Sequence, residues 1–225
     1  MKKILMLAGI LASLGAPWAN ATVEIRIINA AGGGDTGWVT CGGVSCVFAG
    51  AVGNYNVALD SAVQNLGINP LLDMAYQANS LIANPGTIIF EAMANGYTTN
   101  TPQIQFIGNG NSTMGDTVSL ADYGGNNNTV CPAGVNACTP ASNGSTLLNS
   151  LVNQPENLGV VATGAGNTVN PYSLGIVLSL NNPHAGGASG DIQMNAVPEP
   201  ASVMLLGGIL LFTVSTVRRK ARHNS

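Results

Sequence analysis

Side chains able to do acid–base chemistry are scarce in the central part of this sequence. Between Thr22 and Pro200 there is one arginine, Arg26, one histidine, His184, and no lysine, against ten aspartates and glutamates. This stretch has a formal charge of −9, which argues against nucleic-acid binding because one cation cannot neutralise a phosphate backbone. The missing lysines exclude Schiff-base chemistry there. We therefore expect a non-enzymatic protein without a cofactor or a bound metal.

Carboxylates are the remaining candidates for catalysis. A glycosidase needs two carboxyl groups beside the scissile bond, and Glu91 with Glu156 would be the candidates by residue type. Asp116 and Asp122 could help to bind calcium, but the sequence has no EF-hand loop and no glycine-rich calcium repeat. We expect solvated loop carboxylates at these two positions. His184 lies in a loop, and no Gly-x-Ser-x-Gly nucleophile motif accompanies it.

Aromatic rings could instead stack on sugars, with Trp38, Tyr97, Tyr123 and Tyr172 as candidates. Core packing is the expected role for most of them. The segment 32–37 matches Gly-x-Gly-x-x-Gly, but the residues after it favour a strand or turn over a helix. A turn is therefore expected there, not a dinucleotide site.

Four cysteines lie in two short segments of the sequence. Four cysteines allow three pairings, and closure between nearest neighbours predicts Cys41–Cys46 and Cys131–Cys138. An oxidising compartment favours these bonds. The spacings fit neither a Cys-x-x-Cys redox motif nor a zinc site.

The elements that must position these residues are short strands. Apolar and polar residues alternate with period two, which is typical of strands with one buried face. The alternating apolar residues are Val23, Ile25 and Ile27; Tyr55, Val57 and Leu59; Leu72, Met74, Tyr76 and Ala78; Ile104 and Phe106; Leu174, Ile176, Leu178 and Leu180; and Ile192 and Met194. The segment from Gly86 to Met93 is more apolar on both faces than the other strands and predicts a central strand.

Clusters of Gly, Asn and Pro separate these strands at turn-like intervals, which predicts an all-β antiparallel sandwich or jelly roll. A helix over Ala58–Leu72 is the alternative, but Gly67 and Pro70 interrupt it. The segment Asn109–Asn157 is rich in Gly and Asn and predicts long exposed connections.

The N-terminus predicts export. A basic Met1-Lys2-Lys3 precedes an apolar run, and Ala19 and Ala21 fit the small-x-small rule for signal cleavage. Residues 1–21 are therefore predicted to be a signal peptide, with the Sec translocation machinery as a partner. Residues 22–196 remain as one exported β-rich domain.

The C-terminal segment, residues 197–225, has three parts. Val197, Pro198, Glu199 and Pro200 come first, and residues 201–217 form an uncharged run just long enough to cross a bilayer as a helix. A basic end, residues 218–225, follows and includes Arg218, Arg219 and Lys220. The basic cluster predicts that this end stays cytoplasmic and that the preceding domain lies outside.

This order of parts resembles the PEP-CTERM sorting signal of Gram-negative bacteria, a segment also labelled an ice-binding protein C-terminal domain. The resemblance implies recognition by exosortase, a membrane-embedded processing enzyme, in bacteria that make extracellular polysaccharide. We therefore expect an inner-membrane-anchored precursor and then a protein of the cell surface or biofilm matrix, with a structural or interaction role. An exopolysaccharide-binding module, with or without calcium, is the alternative, and a secreted glycan hydrolase comes third.

Overall fold

The structure is a computed structural model that describes residues 21–64, 71–98, 103–114, 117–125, 127–143, 145–154, 158–165, 171–181 and 184–197. These ranges contain thirteen strands and one short 3-10 helix at Ala30–Gly32. The strands are β1 (Val23–Asn29), β2 (Gly34–Asp35), β3 (Val39–Cys41), β4 (Ser45–Val52), β5 (Tyr55–Gln64), β6 (Leu71–Ser80), β7 (Ile88–Tyr97), β8 (Gln103–Ser112), β9 (Thr117–Gly125), β10 (Ser145–Gln154), β11 (Leu158–Ala165), β12 (Tyr172–Asn181) and β13 (Gly186–Val197).

The strands form two antiparallel sheets, which confirms the predicted all-β class. Sheet A has the order β10-β9-β12-β7-β1-β2, and β3 also pairs with β1. Sheet B has the order β11-β8-β13-β6-β5-β4. The helical alternative is not adopted, because Ala58 lies in β5 and Leu72 in β6.

The core lies between the two sheets and is filled by the alternating residues of their inner faces. Val23, Ile25 and Ile27 of β1 are at most 1% exposed. Tyr76 of sheet B meets Phe90 of sheet A with ring centroids 5.5 Å apart. β7 lies in the interior of sheet A and is buried along most of its length, as its more apolar sequence predicted.

The prediction of long connections over Asn109–Asn157 is wrong for much of that segment. It contains β9 and β10, which extend sheet A beyond β12. Val118 and Leu120 of β9 face the core, but the next core-facing position is Asp122. Because that aspartate interrupts the apolar alternation, the strand is hard to recognise from periodicity alone.

Both predicted disulfides are present, with Cα–Cα distances of 5.3 Å for Cys41–Cys46 and 5.6 Å for Cys131–Cys138.

No helix in the described ranges is long and apolar enough to cross a bilayer. The predicted signal peptide (apart from Ala21), the predicted span 201–217 and the basic end 218–225 lie outside the described residues. β13 ends at Val197, the first residue of the predicted C-terminal segment.

Candidate functional site

The outer face of sheet B, which points away from the core, contains an open groove near the β4–β5 turn. In β5 and β6 the inward residues are apolar except for the buried Ser61 and Ser80, and the alternate positions point outward. Asn56 pairs with Asn79, and Ala58 pairs with Gln77 at the next position on the same face. Long-range strand pairing therefore brings the amide of Asn56 beside those of Gln77 and Asn79, which lie more than twenty residues later in the sequence.

The groove consists of two adjoining depressions of about 200 and 230 Å³. Asn56 and Asn79 line both of them, so the two depressions are continuous. The first is lined by Gly50, Asn56, Val57, Ala58, Gln77 and Asn79, and the second by Ala51, Gly53, Asn54, Tyr55, Asn56, Asn79, Leu81 and Ile82. None of these lining residues is charged.

The end of the groove at the β4–β5 turn is held in place by Asn29, which is fully buried at the end of β1. Its Nδ2 donates to the carbonyl oxygens of Pro85 and Thr87, each at 3.0 Å, and its Oδ1 accepts from the backbone N–H of Asn54 at 3.1 Å. The side chain thereby ties the β4–β5 turn to the β6–β7 connection. Gly53 in that turn has φ +55°, and a Cβ there would lie 2.3 Å from Asn29 Oδ1. Only glycine fits that position.

The groove side chains are available to a ligand. Asn56, Gln77 and Asn79 are exposed, and none of the three makes a side-chain hydrogen bond with another described residue. A primary amide offers two donor hydrogens and one acceptor oxygen. Leu81 is 94% exposed and Ile82 is 45% exposed, so the rim of the groove also presents apolar surface.

The same sheet face becomes acidic at its other end. Asp73 of β6 and Asp191 of β13 are diagonal neighbours in the register, and Asp60 of β5 lies on the other side of Asp73. Burial, followed by the hydrogen bond and charge of Asp191, raises the pKa of the Asp73 carboxyl to about 7. Gln193 Nε2 donates to Asp191 Oδ2 at 3.1 Å.

The outer face of sheet A carries a second polar cluster, but this one is covered. Arg26 of β1 pairs with Glu91 of β7 in the register and with Asp35 of β2 through its side chain. Arg26 is 5% exposed and Glu91 is 4% exposed. Burial raises the pKa of the Glu91 carboxyl to about 7, although Arg26 Nη1 lies 3.6 Å from its Oε2 and opposes the shift.

The cover is the disulfide loop, residues 127–143. The carbonyl oxygen of Cys138 accepts from Trp38 Nε1 at 2.9 Å and from Arg26 Nη1 at 3.3 Å. Trp38, Met93 and Cys131 pack into a small apolar cluster beneath the loop. Because Glu91 is buried, this arrangement gives a substrate no access to its carboxyl group.

Glu24 lies near the same cluster and is 3% exposed. Thr40 Oγ1 donates to its Oε1 at 2.5 Å, and burial raises the pKa of the carboxyl.

Within the described ranges, no group of three or more His, Cys, Asp or Glu is placed to hold a metal ion.

The other predicted site residues are dispersed. His184 is exposed, and its backbone N–H donates to Met114 O. The prediction of a solvated loop carboxylate is wrong for Asp122, which is fully buried in β9, whereas Asp116 and Glu156 lie outside the described residues. Core packing is confirmed for the aromatic residues Trp38, Tyr97 and Tyr172, which are at most 3% exposed, and Tyr123 is half-buried.

The residues of the sorting signal are not described beyond Val197, and of the two cleavage-site alanines only Ala21 is described. The sequence-based prediction missed the groove on sheet B. The sequence indicated only that polar residues of β5 and β6 alternate with the apolar ones and so point outward. The groove itself depends on how these two strands pair.

No protein-family model and no curated protein matches this chain. Among solved structures, it is similar to the carbohydrate-binding module TmCBM61 in complex with β-1,4-galactotriose, at 7% identity and a TM-score of 0.32, over 64% of this chain and 90% of that one. The N-terminal cellulose-binding domain of β-1,4-glucanase C from Cellulomonas fimi matches at 14% identity and a TM-score of 0.32, over 58% of this chain and 84% of that one. A cleaved adhesin domain of Lys-gingipain from Porphyromonas gingivalis matches at 12% identity and a TM-score of 0.32, over 77% and 91%. Likenesses this low carry nothing from those proteins to this chain.

Proposed function

We propose that this chain is an exported, non-enzymatic protein of the cell surface or extracellular matrix that binds neutral polysaccharide in the groove on sheet B. The observation that carries the proposal is the uncharged pair of depressions joined by Asn56 and Asn79. Sugar hydroxyls both donate and accept hydrogen bonds, and the free amides of Asn56, Gln77 and Asn79 supply both kinds of partner.

The shape of the groove favours an extended ligand. Each depression is smaller than the ~300–1,000 Å³ that is usual for a small-molecule pocket, and both are open. Gly50, Ala51 and Ala58 keep the floor low, so a chain can lie across both depressions. The exposed Leu81 and Ile82 can pack against the apolar faces of sugar rings.

The charge distribution favours a neutral glycan over an acidic one. Arg26, the one basic residue between Thr22 and Pro200, lies covered on sheet A, away from the groove. The acidic residues Asp60, Asp73 and Asp191 share the face of the groove. A polyanionic glycan would be repelled by this surface and would find no exposed arginine or lysine to bind among the described residues.

Export and processing are part of the same proposal. Two disulfides suit an oxidising compartment outside the cytoplasm. The resemblance of residues 197–225 to a PEP-CTERM signal supports exosortase as the processing partner and the Sec machinery as the export route.

Affinity electrophoresis and calorimetry on a panel of neutral and acidic polysaccharides test the binding proposal. We expect a neutral glycan to bind, and Asn56→Ala with Gln77→Ala to weaken binding at least tenfold. Asn195→Ala is the matched control. It also removes an amide from the outer face of sheet B, but at the end of the strands away from the groove. Absence of binding to every glycan, or equal affinity in the groove variant and the wild type, would overturn the proposal. Glycan hydrolysis abolished by Glu91→Gln would establish the hydrolase alternative instead.

A further inference from the structure

The two terminal strands of sheet B are unusually well suited to pair with another strand. β4 and β11 each contain eight residues, and neither contains a charged residue or a proline. β4 pairs with β5 and β11 with β8 without a register shift. A terminal strand presents unpaired backbone N–H and C=O groups along its free side, and natural proteins usually interrupt such an edge.

Sheet A shows those interruptions at both of its edges. On one side of β1 the edge is divided between β2, with two residues, and β3, with three. At the other edge, the pairing of β10 with β9 has two register shifts. Short strands and bulges both prevent edge-to-edge pairing. In the described ranges, sheet B has neither of these devices at β4 or β11.

The strand directions of sheet B allow it to continue from copy to copy. All five neighbouring pairs among its six strands are antiparallel, so β4 and β11 run in opposite directions. A second copy moved along the sheet, without being turned over, therefore brings its β11 antiparallel to β4 of the first. The outer faces of the two copies then remain on the same side.

We propose that copies of this chain assemble head to tail by pairing β4 of one copy with β11 of the next, which extends sheet B into a linear polymer. The contact is heterologous, and such a contact does not close after one step unless its rotation forms a ring. The occupant of each edge is a second copy, because the chain itself supplies a partner strand of equal length, correct direction and no charge.

Charge gives this arrangement a small advantage over a two-fold β4–β4 dimer, in which two aspartates would lie roughly 14 Å apart across three strand spacings. Asp60 on β5 pairs with Val47 on β4, one strand from the edge. Pairing β4 with another β4 would bring two such aspartates to one junction. Pairing β4 with β11 instead leaves one Asp60 near the junction, because neither β11 nor its neighbour β8 contains a charged residue.

The hairpin between β4 and β5 indicates which groups of β4 are free. Val52 pairs with Tyr55 across a two-residue turn, and such turns are closed by a hydrogen-bonded pair. Every second residue of β4, counted back from Val52, then bonds to β5. The residues in between, which include Val47 and Ala49, point their N–H groups away from β5. Ala49→Pro removes one of these outward N–H groups and leaves the bonds to β5 in place.

The test uses the full chain recovered from cells, with sedimentation velocity and negative-stain microscopy as readouts. We expect the weight-average mass of the wild type to rise with concentration and thin filaments to appear. Ala49→Pro and Ala49→Lys should abolish both. Ala49→Thr is the control at the same position, and Ala75→Lys places the same charge on an exposed residue of the outer face in the interior strand β6. Both controls should assemble, and unfolding curves establish that each variant is folded.

A mixing experiment identifies the two edges. Thr163→Lys changes β11 at the residue that pairs with Gln105 on β8. Alone, the Ala49→Lys and Thr163→Lys variants should be monomeric, and mixed they should form one-to-one dimers through the unblocked β4 and β11. A monomeric wild type at its highest soluble concentration, growth that stops at a dimer, or no dimer in the mixture would each overturn the proposal. Because the readout is mass and not glycan affinity, the outcome is separate from that of the groove.

Discussion

Arg26 and Asp35 form a two-point ion pair: Nε donates to Oδ1 at 2.9 Å, and Nη2 donates to Oδ2 at 2.6 Å. The pair joins the buried strand β1 to the edge strand β2 and supplies the main counter-charge to a guanidinium that is 5% exposed. It also holds the pKa of the Asp35 carboxyl below its ordinary value, chiefly through the hydrogen bond from Arg26.

The first prediction is that Asp35→Asn destabilises the fold by about 2 kcal/mol, because hydrogen bonds to charged groups contribute roughly 1.5–3 kcal/mol. Urea unfolding at pH 7 measures the loss. Asp60→Asn is the matched control, since Asp60 is exposed and its removal relieves repulsion with Asp73. Equal stability of Asp35→Asn and the wild type would show that Glu91 alone compensates Arg26.

The second prediction concerns the pH dependence of stability. Because the pKa of Glu91 is raised from 4.5 to about 7, the folded state binds its proton more tightly than the unfolded state does. The free energy of unfolding should therefore fall as the pH rises from 4.5 to 7 and should level off above 7. The contribution of Glu91 to this fall is on the order of 3 kcal/mol.

Glu91→Gln should remove that contribution. Asp73, whose pKa is also raised to about 7, should provide a separate contribution over the same pH range that Asp73→Asn removes. Denaturant titrations at several pH values from 4.5 to 8 give the slopes. A slope that is the same in wild type and Glu91→Gln would contradict the assignment of a raised pKa to the buried carboxyl.

The third prediction concerns the disulfide loop. The double variant Cys131→Ser with Cys138→Ser should lose about 2 kcal/mol by the loop-entropy model and should uncover Trp38. Trp38 is the only tryptophan after the predicted cleavage site, so acrylamide quenching of the mature protein reports on it directly. The double variant Cys41→Ser with Cys46→Ser should lose similar stability, but acrylamide should quench its Trp38 fluorescence less. This variant leaves the hydrogen bond from Trp38 to the Cys138 carbonyl intact. Equal quenching in both variants would mean that the loop does not shield Trp38.

The fourth prediction concerns the C-terminal segment. If an exosortase processes the chain, mature protein from exosortase-positive cells should end near Pro198-Glu199-Pro200, and Glu199→Ala should accumulate uncut in the inner membrane. Intact-mass spectrometry of membrane and secreted fractions makes the comparison. Deletion of Arg218 to Arg222 should mis-sort the protein. Wild-type protein that still ends at Ser225 would leave the segment as an anchor only.

The sequence predicted the strands that follow simple alternation. β1, β5, β6, β12 and β13 were recognisable because apolar residues recur at every second position on one buried face. The short spacing within each cysteine pair was likewise enough to predict both disulfides. These features are local, so a single sequence contains them.

The features that the sequence could not predict depend on pairing over long distances. Arg26 meets Glu91 only through the register of β1 with β7, and the loop covers them only because Cys138 reaches back to sheet A. The groove has the same origin, since Asn56 and Asn79 become neighbours only when β5 and β6 pair in one particular register. β9 was missed because Asp122 occupies a core-facing position.

Val197 is both the last residue of β13 and the first residue of the predicted sorting segment. β13 lies in the interior of sheet B, with ten register pairs to β6 and ten to β8. A pull applied through an anchored tail would act along this strand and would have to shear both ladders at once. An edge strand, by contrast, could be peeled away one bond at a time. Attachment at this point would help the folded domain to withstand drag from flowing liquid, because the tail would load two long ladders in shear.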